Sequence, residues 1–248
     1  MESYIVHGDC LEEMPKIPDG SVDMILCDLP YAVTSRNDWD VIIPFDKLWN
    51  EYERVIKKNG AIVLTAIQPF TSILIMSNIK KFKYCWVWEK STKTNFLNAK
   101  IQPLRKHEDI VVFGDTPYYY PQGLTIKNSF TKQGKTETSN YGNQDRKVGG
   151  YLQEFQGYPH DIIKFTSESS QTILHPTQKP VALFEYLIRT YTKENEIILD
   201  SCAGSFTTAI AALNTNRRYI CIEKDPTYFN IGKKRIQDWH DKKSGELF

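Results

Sequence analysis

No stretch of the 248-residue chain approaches the roughly 18 consecutive apolar residues of a membrane-spanning helix. The opening MESYIVHGDC lacks the basic start and apolar middle of a secretory signal, so a cytoplasmic protein is expected. Cysteine is sparse and unpaired in pattern. Cys10, Cys27, Cys85, Cys202 and Cys221 form an odd set without a C-x-x-C pair, which argues against a disulfide framework and a zinc site and for reduced thiols. The five histidines have no ligand spacing, so no metal is expected. An excess of either charge is missing too: 31 basic and 30 acidic residues give +1, which does not announce a polyanionic partner. Repeats and low-complexity tracts are absent.

The charge that is there is unevenly spread. Residues 79–106 carry Lys80, Lys81, Lys83, Lys90, Lys93, Lys100, Arg105 and Lys106 against Glu89 alone. Phe82, Tyr84, Trp86, Trp88 and Phe96 are interleaved with them. Two readings are open: a solvated charged face above core aromatics, or a surface for a polyanion with stackable bases.

Hydrophobic patterning alternates between strand and helix. YIVHGD (4–9) and VDMILCD (22–28) read as strands, the second apolar enough to be covered on both faces. Residues 45–60 have helical spacing in Leu48, Tyr52, Val55 and Ile56 and close on lysines and Gly60. A strand at 61–66, a helix at 69–79 and strands at 82–89 and 108–113 follow. The texture resumes with a helix at 181–192, a strand at 196–200, a helix at 206–215 and a strand at 218–223. The fold class expected is therefore α/β. Between them, 115–168 is polar, rich in Gly, Asn, Gln and Tyr, and without period. Such a stretch inside a compact domain reads as an insertion with its own task. The expected division is 1–114, the insertion 115–168, and 169–248.

EIILDSCAGSFTTAIAAL (196–213) is a strand, a small-residue turn and a helix. Ala203, Gly204 and Ser205 let a ligand approach the backbone and the helix start. The next strand ends on Glu223, the expected place for an acid that accepts from ribose hydroxyls. The turn is not G-x-G-x-x-G and has no lysine for a triphosphate. A ligand with adenosine but no polyphosphate fits it better.

Taken together, GDC (8–10), DLPY (28–31), HPTQKP (175–180), DSCAGS (200–205) and IEKD (222–225) resemble the motifs of the DNA amino-methyltransferases. NFLNAKIQPLRKHEDIVVF (95–113) is similar to the same family. The order, DLPY first and DSCAGS last, is that of its β group. The resemblance implies a Rossmann-like methyltransferase sheet, circularly permuted, with a target-recognition insertion at 115–168. It also implies S-adenosyl-L-methionine as cofactor and double-stranded DNA as substrate.

The implied roles can be set against the chemistry. An aromatic amine is a poor nucleophile because its lone pair is delocalised into the ring, and accepting hydrogen bonds from both N–H groups returns that pair to nitrogen. The resemblance assigns one acceptor to the Asp28 side chain and the other to the Leu29 carbonyl. Pro30 restricts Leu29 to extended conformations. Tyr31 offers a face for a base taken out of the duplex stack. Asp9 matches the adenine contact, and Cys10 beside it is expected at the cofactor. Asp28, Asp200, Ala203, Gly204, Ser205, Glu223 and Lys224 are expected around the cofactor, with His175, Thr177 and Lys179 near its methionine end. Lys90 and Lys93 are expected on DNA phosphates, Trp39 over the base or in the core, and Asn140, Asn143, Gln144 and Arg146 on base edges.

Two departures stand out. Leu29 occupies a position that is usually proline, and Phe206 one that is commonly glycine. The Phe206 ring either crowds the cofactor or enters the helix–sheet interface. An aspartate at the head of the clamp resembles adenine-directed members, so transfer to the 6-amino group of adenine is expected. The alternatives are cytosine 4-amino transfer and a catalytically weak DNA-binding relative. A homodimer and a cognate restriction endonuclease are the further partners weighed, with a bacterial or phage origin and no membrane.

Overall fold

The computed structural model describes residues 1–31, 42–131, 151–166 and 178–245, with Thr131 and Tyr151 described by backbone alone. The chain forms two compact units, Met1–Tyr120 with Asp161–Phe248, and Pro121–His160. The seams thus fall inside the expected insertion limits of 115 and 168, because residues 162–165 form a strand of the larger unit.

In the larger unit an eight-stranded sheet has the order β1-β10-β9-β2-β3-β5-β4-β8. The strands are β1 (Tyr4–His7), β2 (Val22–Cys27), β3 (Ile56–Ala66), β4 (Phe82–Thr94), β5 (Arg105–Phe113), β8 (Ile162–Phe165), β9 (Ile197–Asp200) and β10 (Arg218–Glu223). Within this sheet β5 alone runs antiparallel to its neighbours. β2 sits at the centre, and all six of its residues are buried, as a strand covered on both faces requires. Asp23 is the one charge in that strand. Its carboxylate accepts from Lys57 Nζ at 2.6 Å and from the Ile197 N–H at 2.9 Å.

Helices α1 (Cys10–Glu13), α2 (Phe45–Val55) and α3 (Phe70–Ser77) cover one face, burying Leu48, Tyr52, Phe70 and Leu74 against Ile25, Cys27, Ile62 and Leu64. Helices α4 (Val181–Tyr191), α5 (Thr207–Asn214) and α6 (Pro226–Gly245) cover the other. There Leu183, Leu187, Ala209 and Ala212 meet Met24, Leu26, Val63 and Val112, with Phe229 and Ile236 of α6 packed behind.

Helix α2 ends at Val55, not at Gly60. Ile56–Gly60 belong to β3, where Ile56 pairs with Val22 and the register shifts before Met24 pairs with Ala61. Glycine is required at 60 because a methyl group there would lie 2.7 Å from the Asp23 carbonyl oxygen. It is a close-approach residue, and the helix ends without it.

The smaller unit contains the antiparallel pair β6 (Thr125–Thr131) and β7 (Tyr151–Gln156). Its register slips between Ile126 and Ser129, where Asn128 takes φ +44°. This bulge breaks the period-two pattern, which hides the pair from sequence reading.

Candidate active site at the carboxyl edge of the sheet

The connection from β9 through α5 leads one way along the sheet to β10, and that from β2 through α2 leads the other way to β3. The switch point therefore lies between β9 and β2, where an open α/β sheet presents its crevice at the carboxyl ends of the strands. At that edge β1 runs into Gly8–Asp9, β10 ends on Glu223, β9 on Asp200, β2 runs into Asp28 and β3 ends just past Thr65.

Asp28 is the centre of a dense hydrogen-bond group. Its Oδ1 accepts from Thr65 Oγ1 and lies 2.5 Å from the Tyr31 hydroxyl, itself 2.8 Å from Thr65 Oγ1. Its Oδ2 accepts from Lys179 Nζ at 2.7 Å. Burial first, and then the Asp28 charge, push the Tyr31 phenol well above its ordinary value, so it stays a donor. The Tyr31 ring lies 5.1 Å from that of Phe70, and Lys179 Nζ lies 5.6 Å from the Tyr31 ring centre. Tyr31 is thus held at its hydroxyl as well as along its ring. The Leu29 side chain is buried in the core with Cys27 and Phe70, which explains how leucine is accommodated at this position.

Lys179 belongs to this group. Its ammonium donates to Asp28 at 2.7 Å and lies 3.4 Å from Glu108, side chains the motif alone did not link to it. Sequence reading missed Glu108 altogether. A Glu in a strand has no local signature, and only the pairing of β5 with β3 and β4 brings it here.

The other half of the crevice is made of loops. Asp9 caps α1, accepting from the Leu11 N–H at 2.9 Å, and pairs with Lys224 at 2.9 Å. Burial pushes its carboxyl up, but Lys224 and the Leu11 N–H outweigh that and hold it below the usual value. Cys10 is buried behind it. Glu223 Oε2 accepts from the Gly204 N–H and Oε1 from the Asp225 N–H, both at 2.7 Å. Burial raises the Glu223 carboxyl, and these N–H groups pull it back. Gly204 takes φ +51°, a conformation glycine adopts without strain. Ala203 and Ser205 are buried on either side, and Ser205 Oγ reaches Gln178 at 3.2 Å.

Asp200 is a correction. It is 3% exposed, and its carboxyl is taken by Thr208 and by the Cys202 N–H at 3.1 Å. Burial pushes it up to about 7. It ties β9 to α5 and is not offered to a ligand.

Phe206 takes φ +61° and is fully buried, edge-on to Phe229 at 5.8 Å. A methyl group on Gly232 of α6 would lie 2.5 Å from its ring. The ring therefore enters the α5–α6 interface and leaves the loop's ligand side clear.

This donor and acceptor set fits a nucleoside-bearing cofactor. Each Glu223 oxygen has one N–H donor and a further lone pair for a ribose hydroxyl. The adjoining turn is small, and Asp9 lies at the neighbouring strand end.

Of the expected DNA contacts, Lys90 is paired with Glu108 and only 15% exposed at its side chain, so its charge is not offered to phosphates. Lys93 makes no ion pair among the described residues. Trp86 and Trp88 are 3% exposed and belong to the core, whereas Tyr84 and Phe96 of the same segment are exposed, so the segment's aromatics divide between core and surface. Trp39, Asn140, Asn143, Gln144, Arg146, His175 and Thr177 lie outside the described residues.

Residues 22–234 match the family model described as DNA methylase of the N6/N4 class. The chain is 29% identical over 253 residues to the DNA adenine methyltransferase YhdJ of Escherichia coli K12, covering 94% of this chain and 82% of that protein. Among solved structures, the M1.HpyAVI–SAM complex is similar at a TM-score of 0.61 with 24% identity, over 93% of this chain and 98% of that one. The PvuII DNA methyltransferase, named as cytosine-N4-specific, is similar at a TM-score of 0.68 with 16% identity, over 94% and 86%. These structures share the fold. The chain belongs to the N6/N4 DNA methylase family.

Proposed function

We propose that this N6/N4 DNA methylase transfers a methyl group to the exocyclic 6-amino group of adenine in double-stranded DNA. The observation that carries the reading is the half-buried Asp28 carboxylate at the switch point, with Thr65 and Tyr31 on Oδ1 and Lys179 on Oδ2. S-adenosyl-L-methionine, when bound, supplies an electrophilic methyl group on a sulfonium.

The chain's own residues do the rest. Oδ2 has one donor in Lys179 and a second lone pair that can accept an amine N–H. The Leu29 carbonyl, with Leu29 restricted by Pro30, is the second acceptor. Two such acceptors draw the amine lone pair out of the ring and onto nitrogen. Tyr31, fixed at its hydroxyl and against Phe70, gives a flipped base a rigid face. Glu223, Asp9 and the backbone of Ala203–Ser205 hold the nucleoside. Residues 121–160, with Asn140, Asn143, Gln144 and Arg146, read base edges, and Lys93 contacts phosphate.

Two observations favour adenine: an aspartate heads the clamp, and a relative named as an adenine methyltransferase aligns over 94% of the chain. The burial of Leu29 and Phe206 away from the crevice speaks against a catalytically weak relative. Among the described residues no helix is long and apolar enough to cross a membrane, and the five cysteines are free thiols, which suits a reducing cytoplasm. A second copy of the chain and a cognate endonuclease remain candidates for its partners.

The decisive experiment incubates the protein with methyl-labelled S-adenosyl-L-methionine and duplex DNA, digests the DNA and separates the nucleosides. Label in N6-methyladenine is the expected result. Label in N4-methylcytosine would overturn the base assignment, and none in either would overturn the activity.

A further inference from the structure

Four charged side chains from separate stretches meet beside the clamp. Asp28 follows β2, Lys90 lies on β4, Glu108 on β5, and Lys179 just ahead of α4. Lys179 Nζ donates to Asp28 Oδ2 at 2.7 Å and lies 3.4 Å from Glu108 Oε2, an ion pair without a hydrogen bond, and Glu108 Oε1 is paired with Lys90. The Lys179 and Glu108 side chains are 6% and 10% exposed, against 22% for Asp28. The carboxylate nearest the crevice is thus backed by a buried cation, and that cation by a buried carboxylate.

Such a group is a poor source of stability. Desolvating the ions tends to cancel their attraction, and apolar residues of equal volume would hold the strands as well. Its effect is on direction. A lysine ammonium on a four-carbon stem is mobile when it has a single partner. Held between two carboxylates and 6% exposed, it has less freedom to leave Asp28 than a lysine with that partner alone. With Oδ1 taken by Thr65 and Tyr31 and one Oδ2 lone pair by Lys179, the carboxylate cannot rotate without breaking bonds at both oxygens.

We infer that Glu108 is a positioning residue for the reaction: through Lys179 it fixes the orientation of the Asp28 carboxylate toward the target amine. The inference rests on the methyl-transfer reading above. The charge states agree with it. Burial pulls the Lys179 ammonium down, but Asp28 and Glu108 outweigh this and hold it above the ordinary lysine value. Burial pushes the Glu108 carboxyl up, but Lys179 and Lys90 hold it below the usual range. Tyr31 is the other titratable group against Lys179, through its ring, and Asp200 adds its charge on the β9 side of Asp28.

The test is Glu108→Gln in the full-length enzyme with S-adenosyl-L-methionine and duplex DNA. kcat should fall roughly tenfold or more, as for a misaligned catalytic group, while KM for DNA and for cofactor stays within about twofold. The Lys179 titration, followed by NMR on lysine-labelled protein, should move down because one of its two carboxylates is gone. The alkaline limb of kcat should move with it. Lys179→Met should lose most of kcat, since Asp28 and Glu108 then face each other without the cation. Lys179→Arg should recover part of the loss. An unchanged kcat together with an unchanged Lys179 titration in Glu108→Gln overturns the inference. A wild-type enzyme that moves no methyl group overturns the methyl-transfer reading, whereas the NMR titration decides independently whether Glu108 holds the Lys179 charge. If Glu108→Gln does not fold, Glu108→Asp keeps the charge and shortens the reach. It should lower kcat at constant KM, and an equal kcat overturns the inference.

Discussion

The two halves of the crevice are built by different means. Around β1, β9 and β10, the cradle is written in short stretches: Ala203, Gly204 and Ser205 follow one another, and Glu223 is held by backbone N–H groups of Gly204 and Asp225. Around β2, the clamp gathers Asp28, Thr65, Glu108 and Lys179, the outermost two 151 positions apart. A cradle needs only backbone groups and small residues, which one turn can supply. A charged side chain held in one orientation needs neighbours from several directions, and only the sheet and the approach to α4 bring them in. If this division is right, changes in one half should leave the other's measurements alone.

The sharpest separation is expected for Asp28→Ala. Methyl transfer should fall by at least about 10³-fold, the scale of losing one hydrogen-bonding group at a reacting centre, with cofactor affinity by calorimetry little changed. A matching loss of cofactor affinity would merge the two halves.

Next comes Asp200→Asn, which tests whether the cradle conceals a structural charge. The folded carboxyl titrates at about 7, above its unfolded value of 3.8. The folded state therefore binds the proton more tightly, and its stability is fully present below pH 4 and is lost as pH rises through 7. At most about 4 kcal/mol is at stake. Asp200→Asn should flatten the decline between pH 4 and pH 7 in urea unfolding. An undiminished decline would place its origin elsewhere.

A smaller effect follows from Glu223→Ala. Loss of a charged acceptor for ribose hydroxyls should weaken cofactor binding by about 1.5–3 kcal/mol, whereas kcat at saturating cofactor should hold. A fall in kcat with binding intact would put Glu223 on the clamp side.

The smallest is a contrast between neighbours on β4. Lys93→Gln should reduce the salt dependence of DNA binding by about one counterion. Lys90→Gln should leave that slope unchanged and lower kcat, because Lys90 is committed to Glu108. Equal salt effects would return Lys90 to the phosphate surface.

The same contrast decides what could be read from sequence. The strands ending at Cys27 and Glu223 and the turn at 201–206 are local patterns, and they were legible. Glu108 was not, because its partners are set by strand register. Lys179 was visible in its motif, but its contacts with Asp28 and Glu108 were not, since spacing does not say which way a side chain reaches. Helix α6 went unread because Gly232 is its one fully buried residue, leaving little apolar period to find. Lys57 and Gly60 mimicked a helix end, while in fact they extend β3 to meet Asp23.

Phe206 leads in another direction. A non-glycine residue in the left-handed region costs about 1–2 kcal/mol, and here its ring fills the notch left by Gly232, edge-on to Phe229. Arg235 of α6 also donates to the Ser205 carbonyl and to Thr207 Oγ1, each at 3.1 Å. Bulk at 206 and bulk at 232 are thus mutually exclusive, and the substitutions tolerated at either position are conditional on the other. The cradle leans on a wall from the C-terminal helix. A chain cut before Pro226 would retain Asp9, Gly204 and Glu223 and yet lose the buttress against which the turn that presents Gly204 is braced.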